Sequence, residues 1–302
     1  MRQFLMVVVF LSCNTGQKPD STFDSSVLDP AYHSIHPRVL YDEGHRNFHK
    51  ANGTFSPFVQ VLTNDGYLVD VNRDAFRADV LKTCDVLIVV TPKGAPEKDD
   101  PAFTEEECTV VEKWVRAGGS LLLVAEHHPI GGAVQILAAQ FGVSVTNGYV
   151  MDPLHFRGSE KYMDELVFSR ENKFLGDHPI LNGRRQDEKV NTVVSFTGTS
   201  LLGPDSSSVL LRLSDAAMET VKDSSWSKDG KHYSRFQDSI PAKGRNQGLA
   251  MPYGQGRVIV LGEAGMLSAQ MDDRGNKFGM NLPGLDNKQF VLNMIHWLSR
   301  LF

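Results

Sequence analysis

The sequence predicts an α/β fold in which a doubly wound parallel sheet carries an antiparallel β extension. Strand-like apolar runs alternate with helix-like runs between residues 38 and 150, an order typical of parallel sheets covered by helices. The runs DVLIVV (85–90) and LLLVA (121–125) are almost entirely apolar, as in strands that are buried on both faces. Beyond residue 150 this alternation is lost, which predicts an antiparallel insertion at about 151–247.

The individual elements follow from local patterns. Strands are predicted at 38–45, 67–72, 85–92, 120–129 and 143–150, with helices or turns at 55–66, 74–84, 104–119 and 131–142 between them. Later strands are predicted at 190–196 and 209–214, followed by a hairpin at 247–263 with a glycine turn at 254–256. Thr104 with Glu107, and Asp286 with Gln289, have the spacing of capping boxes at helix starts. The 22 residues 264–285 form a loop long enough to be a lid or a binding loop.

The N-terminal segment predicts a lipid anchor. Arg2 precedes the apolar run 4–11, which is far shorter than the roughly 20 residues of a membrane-spanning helix but suits a signal peptide of residues 1–12. Leu11, Ser12 and Cys13 resemble the lipobox of bacterial lipoproteins, in which the cysteine is acylated. Residues 13–37 are then expected to be the lipidated cysteine and a flexible tether. A plain signal peptide remains an alternative.

Composition bounds the class of protein and its partners. A chain of 302 residues with 41% hydrophobic residues can form one large domain at 38–302. Its net charge of -5, from 36 acids and 31 bases without a basic run, does not favour nucleic acid as a partner. Cys108 shares a helical face with Val111 and Val115 and is expected in the core, while a disulfide with Cys84 stays open.

Polar side chains collect where three of the predicted strands end. The carboxyl ends of parallel strands meet at one edge of a sheet, and ligands of such sheets bind outside that edge. The candidate catalytic residues there are Glu43, His45, Glu126, His127, His128 and Glu263. The candidate ligand-binding residues are Asn47, Ser268 and Asn287. We therefore expect a site that is rich in carboxylates and histidines at this edge.

Such a site could hold a divalent metal or act as an acid/base pair around a polar substrate. The sequence lacks HExxH, CxxC and GxSxG, so it does not single out a zinc, redox or serine-hydrolase reaction. Structural roles are also open. Glu126 could cap the helix at Gly131, and on an extended chain at most one of His127 and His128 faces the ligand unless the chain turns at Pro129. His178 and His296 are expected to be structural.

Three segments together resemble the class I glutamine amidotransferase-like (GATase-like) superfamily, in the branch shared with gliding-motility and ABC-transporter auxiliary proteins and with ciliary transport subunits. These segments are VLYDEGHRN (39–47), LLLVAEHHPIGGAVQILAAQFGV (121–143), and GRVIVLGEAGMLS (256–268) followed by DNKQFVLNMIHWL (286–298). The resemblance implies a flavodoxin-like fold and the position of the crevice. The amidotransferases carry a nucleophilic cysteine at the corresponding turn, whereas EHHPIGG (126–132) has none, which excludes glutaminase chemistry by the usual thiolate.

Two functions from different classes remain. The first is a lipid-anchored envelope protein that binds or hydrolyses a small polar ligand, with carbohydrate suggested by analogy alone. In it, His45 and one of His127 and His128 act as base or ligand, and Glu43, Glu126 and Glu263 as acid or orienting groups. The second is a non-catalytic subunit of a membrane transport or gliding complex, with protein partners that the sequence does not identify.

Overall fold

The computed structural model describes residues 16–94, 101–128, 130–160, 163–228, 231–236 and 239–302. Its helices are α1 (Ser56–Asn64), α2 (Ala78–Leu81), α3 (Glu105–Arg116), α4 (Ile130–Ala139), α5 (Pro179–Asn182) and α6 (Asn287–Leu298). Its strands up to residue 157 are β1 (Lys18–Pro19), β2 (Arg38–Asp42), β3 (Leu68–Asn72), β4 (Val86–Val90), β5 (Ser120–Val124), β6 (Ser144–Val145), β7 (Gly148–Met151) and β8 (Phe156–Arg157).

The remaining strands belong to the insertion and to the C-terminal part of the chain. They are β9 (Glu165–Ser169), β10 (Thr192–Phe196), β11 (Leu201–Leu202), β12 (Ser208–Arg212), β13 (Met218–Lys228), β14 (Lys231–Phe236), β15 (Ile240–Pro241), β16 (Asn246–Tyr253), β17 (Gly256–Leu261), β18 (Ala269–Met271) and β19 (Lys277–Gly279).

The central sheet has nine strands in the order β3-β2-β4-β5-β17-β16-β11-β6, with β12 also paired to β16. The first five of these strands are parallel to one another. Numbered along the chain, these five have the spatial order 2-1-3-4-5, which is the flavodoxin-like order. The predicted flavodoxin-like α/β fold with a parallel sheet and an antiparallel β extension is confirmed.

The sheet separates two hydrophobic cores. Along β5, Leu122 and Val124 belong to the core that contains side chains of α1 and α6, whereas Leu121 and Leu123 belong to the core that contains side chains of α3 and α4. Successive residues of a strand point to opposite faces. A strand covered by helices on both faces must therefore be apolar at every position, which explains the continuous apolar runs.

The extension begins at the hairpin of β16 and β17, which are antiparallel as predicted. Gly254 lies in its turn at a φ of +57°, a conformation that glycine adopts without strain. Most of the predicted insertion forms further antiparallel pairs, including the three-stranded sheet β10-β9-β8. The predicted strand at 143–150 is two short strands, of which β6 pairs antiparallel with β11 and β7 with β13.

One of the two predicted capping boxes is present. At the start of α3, the Thr104 side chain accepts from the Glu107 N–H, and the Glu107 carboxylate accepts from the Thr104 N–H. The second prediction is wrong, because Asp286 makes no side-chain cap on α6. Its carboxylate instead accepts from the N–H groups of Asn191 and Thr192, 2.7 and 3.0 Å away.

The N-terminal segment contacts the domain, in contrast to the predicted flexible tether. β1 pairs with β18 of the 264–285 loop, and the Lys288 ammonium donates to the carbonyl oxygens of Asp24 and Ser26, at 2.8 and 2.7 Å. The prediction of a free tether is therefore wrong for the described part of this segment. Cys13 and the predicted signal peptide lie outside the described residues.

Two further predictions concern the described residues. Cys84 and Cys108 are both free, so the disulfide that the sequence left open is not formed. Cys108 is buried among the residues of the α3 and α4 core, as predicted. No helix in the described part of the chain is long and apolar enough to cross a membrane.

Candidate functional site

Two clusters of histidine and carboxylate side chains lie at the carboxyl ends of the parallel strands. The His45 cluster consists of Asp42, His45 and Glu107 between the rings of Phe76 and Phe103. The Glu126 cluster consists of Glu126, His127, Tyr149 and Glu263. Asp42 ends β2, whereas Glu126 and Glu263 each follow the neighbouring parallel strands β5 and β17 by two residues.

Both ring nitrogens of His45 are bound by carboxylates. Its Nδ1 lies 2.9 Å from Asp42 Oδ2 and its Nε2 lies 2.8 Å from Glu107 Oε1. Carboxylates only accept hydrogen bonds, so an imidazole that serves both must carry a proton on each nitrogen. The centroids of the Phe76 and Phe103 rings lie 4.3 and 4.7 Å from that of His45.

The opposite charges of this cluster stabilise one another, with one imidazolium between two carboxylates and a net charge of −1. Burial by itself lowers the pKa of His45, but the hydrogen bonds and charges of Asp42 and Glu107 raise it above its usual value. Burial by itself raises the pKa of Glu107, but the hydrogen bonds from His45, Thr104 and the Phe76 N–H lower it to about 2. His45 is therefore an imidazolium that ties β2 to α3, with no ring nitrogen left to act as the predicted base or ligand.

The Glu126 cluster brings like charges together. The two carboxyl groups lie close enough for the charge of Glu126 to raise the pKa of Glu263. The Glu126 carboxylate accepts from the N–H of His127 at 2.8 Å and from that of Ala264 at 3.3 Å. Glu263 accepts from the N–H of Met266 at 2.8 Å and from that of Gly265. Two like charges brought together in a buried site favour a state in which one of the carboxyl groups keeps its proton.

Burial and mutual repulsion hold that proton in place. Burial raises the pKa of Glu126, and burial together with the charge of Glu126 raises the pKa of Glu263 well above its usual value. Glu263 is almost fully buried, and the Glu126 side chain is 12% exposed. Both shifts favour a protonated carboxyl group in the folded cluster.

His127 covers this carboxyl pair and is the most exposed side chain among the candidate histidines. Its Nε2 lies 3.9 Å from Glu126 Oε1, its Nδ1 lies 2.9 Å from the His128 carbonyl oxygen, and 36% of its side chain is exposed. The ring stacks on Tyr149 at a centroid distance of 4.4 Å. Burial and the charge of Glu126 raise the pKa of Tyr149 to about 12, so its hydroxyl stays protonated.

The other candidates of the sequence prediction are engaged in internal contacts. Glu43 accepts from the Ala51 N–H at 2.9 Å, and Asn47 bridges the His45 N–H and the Val90 carbonyl oxygen. The Ser268 hydroxyl donates to Gly265 and accepts from Gln270. From the sequence, Glu43, His45 and one of His127 and His128 were expected to share one site. The contacts of Glu43 and His45 do not match this expectation.

Two more predicted candidates are buried. Asn287 uses its side-chain amide three times, accepting from the Val194 N–H and donating to the carbonyl oxygens of Val194 and Met266. It therefore ties α6 to β10 and does not face the crevice. His128 is buried, and its carbonyl oxygen accepts from Tyr149 as well as from His127. Of the paired histidines, His127 is the one at the surface.

His178 and His296 have structural positions, as predicted. His178 accepts from the Ile180 N–H at the start of α5, and burial lowers its pKa to about 4. His296 is buried in α6 with its Nε2 2.6 Å from Asp65. Neither contacts the two clusters through its hydrogen bonds.

Sequence reasoning missed Glu107 and Tyr149. Glu107 carried a visible signal as the third helical residue of the capping box, but its contact with His45 spans 62 positions and has no local pattern. Tyr149 lies in β7 and stacks on His127 only because that short strand turns away from the parallel sheet. Across the described ranges, no group of three or more His, Cys, Asp or Glu side chains is arranged to hold a metal ion.

Comparison with known proteins supports the fold and leaves the family open. No family model and no curated protein sequence matches this chain. Its structure is similar to the domain described as "mmIFT52 N-terminal domain", with a TM-score of 0.59 and 17% identity over 86% of this chain and 97% of that one.

Two further structures match less well. A putative GMP synthase protein from Thermoplasma acidophilum has a TM-score of 0.44 and 13% identity over 89% of this chain and 97% of that one. The GH42 β-galactosidase Gan42B has a TM-score of 0.42 and 12% identity over 88% of this chain and 30% of that one. The structural neighbours thus include a GATase-like protein, and at these identities the likeness extends to the fold alone.

Proposed function

We propose that this protein is a lipid-anchored protein of the bacterial envelope that binds, and in the catalytic version hydrolyses, a polar, carbohydrate-derived ligand at the Glu126 cluster. The observation that carries the proposal is the pair of largely buried carboxyl groups of Glu126 and Glu263, with the partly exposed His127 ring 3.9 Å from Glu126. Two buried carboxyl groups that repel each other cost free energy in the folded state, and such arrangements concentrate at functional sites.

The chemistry open to this cluster is proton transfer to or from a ligand. A carboxyl group that keeps its proton near neutral pH can donate it to a hydroxyl or a leaving oxygen, and a neighbouring imidazole can accept one. The Tyr149 hydroxyl donates to the His128 carbonyl oxygen at 3.2 Å, whereas the His127 ring is partly exposed, with its Nε2 3.9 Å from Glu126. We assign His127 the contact with ligand and the carboxyl pair the role of acid.

Thiolate chemistry is not part of this proposal. The turn at 126–132 carries Glu126, His127 and His128 and no cysteine, and the resemblance to amidotransferases would place their nucleophile there. The two described cysteines have raised pKa values because of burial, to about 12 for Cys84 and about 11 for Cys108. Neither is an activated thiolate.

The anchor part of the proposal has its own test. In bacterial cells grown with an alkyne analogue of palmitate, the full chain should be labelled and recovered with the membrane fraction, whereas Cys13→Ser should be unlabelled. Equal labelling of both chains would remove the anchor from the proposal without affecting the site.

The site is tested with the Cys13→Ser chain, which would lack the lipid. Binding and hydrolysis of a panel of oligosaccharides would be measured for this chain and for Glu126→Gln and His127→Ala. Both substitutions should abolish binding or turnover, whereas Glu106→Gln, at an exposed position of α3, should have no effect. Unchanged binding in both site variants would contradict the proposal.

A non-catalytic subunit of a membrane transport or gliding complex is the second candidate. It is favoured by the internal use of His45, Asn47, Ser268 and Asn287, whose polar atoms hold loops and α6 in place. Crosslinking in cells followed by identification of the captured proteins distinguishes the two. A transporter component captured equally by the wild type and by His127→Ala, together with the absence of saccharide binding, would favour this candidate.

A further inference from the structure

The point where the sheet reverses its strand order carries a group of cations that none of the functional assignments above uses. In the order β3-β2-β4-β5, β2 precedes β3 along the chain while its other neighbour, β4, follows both. In flavodoxin-like sheets the ligand crevice lies at this reversal, outside the carboxyl ends of the two central strands. Here the reversal lies between β2 and β4, beside β5 of the Glu126 cluster.

The loop after β2 lies across the end of β4. The Phe48 N–H donates to the Thr91 carbonyl oxygen at 2.9 Å, the His49 N–H donates to the Thr91 hydroxyl at 3.2 Å, and the Lys93 N–H donates to the His45 carbonyl oxygen at 3.0 Å. These bonds fix residues 45–49 and 91–93 against each other.

The backbone is strained at this junction. Arg46 and Thr91 have φ angles of +55° and +43°, in the left-handed region. For a β-branched residue such as threonine this conformation is a rare outlier. Strained residues persist where the surrounding structure holds them, and they cluster at binding and catalytic sites.

Three cations lie near one another here, and one of them contacts an exposed aromatic ring. We call this group the basic patch: Arg46, Phe48, Lys50 and Lys93. The Lys93 ammonium lies 4.5 Å from the centroid of the Phe48 ring, which is 51% exposed. The Lys50 ammonium has only a weak contact, 3.4 Å from the Glu43 carbonyl oxygen.

None of these three cations forms an ion pair with a carboxylate in the described part of the chain. Burial, and then the charges of Arg46 and Lys50, lower the pKa of Lys93. Three mutually repelling cations are unusual in a chain of net charge -5. Some surface cations elsewhere are paired, as Arg116 is with Glu112 at 2.5 Å and Arg184 with Glu188 at 2.6 Å.

We infer that the basic patch binds the anionic group of the ligand, and that the ligand is an acidic saccharide bearing a carboxylate or a sulfate. The cations supply charge-assisted hydrogen bonds to the anion, and the exposed face of Phe48 offers an apolar surface to a sugar ring. The choice of a saccharide rests on the proposed function, whereas the anionic character rests on the patch alone.

An anionic membrane surface is the main competitor for this patch. Juxtamembrane segments that hold a protein on anionic lipid use clusters of about four to eight cations, and the patch has three. It also lies at the sheet reversal, the place where ligands of such sheets bind, and β4 there neighbours β5 of the Glu126 cluster. These two features favour a small anionic ligand over a membrane.

The test compares acidic and neutral saccharides on the Cys13→Ser chain by isothermal titration calorimetry. The probes are an oligogalacturonate for carboxylate, a κ-carrageenan oligosaccharide, which has sulfates and no carboxylates, for sulfate, and maltoheptaose as the neutral control. The variant is Arg46→Gln, Lys50→Gln and Lys93→Gln combined. The matched control replaces Lys82, Lys113 and Lys173, which form no ion pair among the described residues, by Gln and so removes the same charge.

At least one acidic probe should bind the wild type and the matched control equally, and the patch variant about tenfold or more weakly. Binding should also weaken as salt is raised from about 50 to about 200 mM, as expected for exposed charges. Which acidic probe binds identifies carboxylate or sulfate as the recognised group. Circular dichroism of the patch variant, and the single Lys50→Gln variant, control for a folding defect.

Three results would overturn the inference. The first is equal binding of an acidic probe by the patch variant and the matched control. The second is binding of maltoheptaose alone that Glu126→Gln abolishes, which leaves the proposed function standing. The third is binding to phosphatidylglycerol vesicles that the patch variant abolishes, without binding to either acidic saccharide. Acidic-saccharide binding that depends on the patch but not on Glu126 would instead support the inference and contradict the assigned role of the Glu126 cluster.

Discussion

The His45 and Glu126 clusters are built from the same residue types at the same edge of the sheet, yet their charges are arranged in opposite ways. In the His45 cluster one imidazolium lies between two carboxylates, and all three side chains are largely buried. In the Glu126 cluster two carboxyl groups face each other, and the histidine is partly exposed above them. Removing one member of a buried pair of opposite charges leaves the other uncompensated and destabilises the fold, whereas like charges held together shift pKa values in the way found at functional sites.

The largest effect on the free energy of unfolding should come from removing one carboxylate of the His45 cluster. Glu107→Ala removes a carboxylate that accepts from His45, Thr104 and the Phe76 N–H, and loss of one partner of a buried ion pair costs about 3–5 kcal/mol. Urea denaturation should show this loss, with Glu106→Ala changing the free energy of unfolding by less than about 0.5 kcal/mol. Equal stability of the two variants would mean that the His45 cluster does not hold the fold.

A smaller effect on the free energy of unfolding, visible in its dependence on pH, should come from the Glu126 cluster. Because the pKa of Glu263 is raised in the folded state above its ordinary 4.5, the folded protein keeps a proton that the unfolded chain releases. Stability should therefore fall as pH rises above about 4.5, by up to about 1.4 kcal/mol per pH unit for one proton. The comparison is made between about pH 5 and 6.5, because His45, whose pKa is raised, titrates above this range. Within it, Glu263→Gln should reduce the slope of stability against pH.

Urea denaturation of both proteins across that pH range measures the effect. The slope is the quantity to compare, because Gln at position 263 also loses one acceptor for the N–H groups of Gly265 and Met266. Parallel curves for wild type and variant would show that Glu263 does not hold an extra proton.

The smallest effect on stability should come from His127→Ala. The side chain is 36% exposed, and its main packing contact is the Tyr149 ring, so the loss should be about 1 kcal/mol or less. Thermal unfolding of His127→Ala and His45→Ala gives a direct comparison of the two histidines. A loss of stability for His127→Ala as large as that for His45→Ala would mean that His127 stabilises the fold as much as His45 does.

The sheet and its edge could be predicted from sequence because both follow from local patterns. The continuous apolar strands, the Thr104 capping box and the polar groups at strand ends are each visible within about ten residues. What each polar group contacts is not visible in this way. His45 and Glu107 are 62 positions apart, and the Asp286 carboxylate that should cap α6 binds the chain at 191–192 instead.

The raised pKa of Glu263 could not be predicted from sequence for a related reason. Parallel pairing of β5 and β17 predicts that Glu126 and Glu263 lie near each other, but the burial of both groups decides how far their pKa values rise. The competition between burial, like charges and backbone N–H donors depends on the assembled core. The sequence pattern therefore located the edge of the sheet that carries the polar side chains, but it could not show which of the histidines there are buried and which is exposed.

The pairing of β1 with β18 limits how far the domain could extend from a membrane. With acylation at Cys13, as proposed, only five residue steps separate the lipid from Lys18, which is already part of a sheet. A fully extended chain of that length spans about 17 Å, against about 84 Å for a free tether reaching residue 37. The protein would then stand directly on the bilayer, in a restricted orientation, and could capture only ligands that come within a few nanometres of the lipid headgroups.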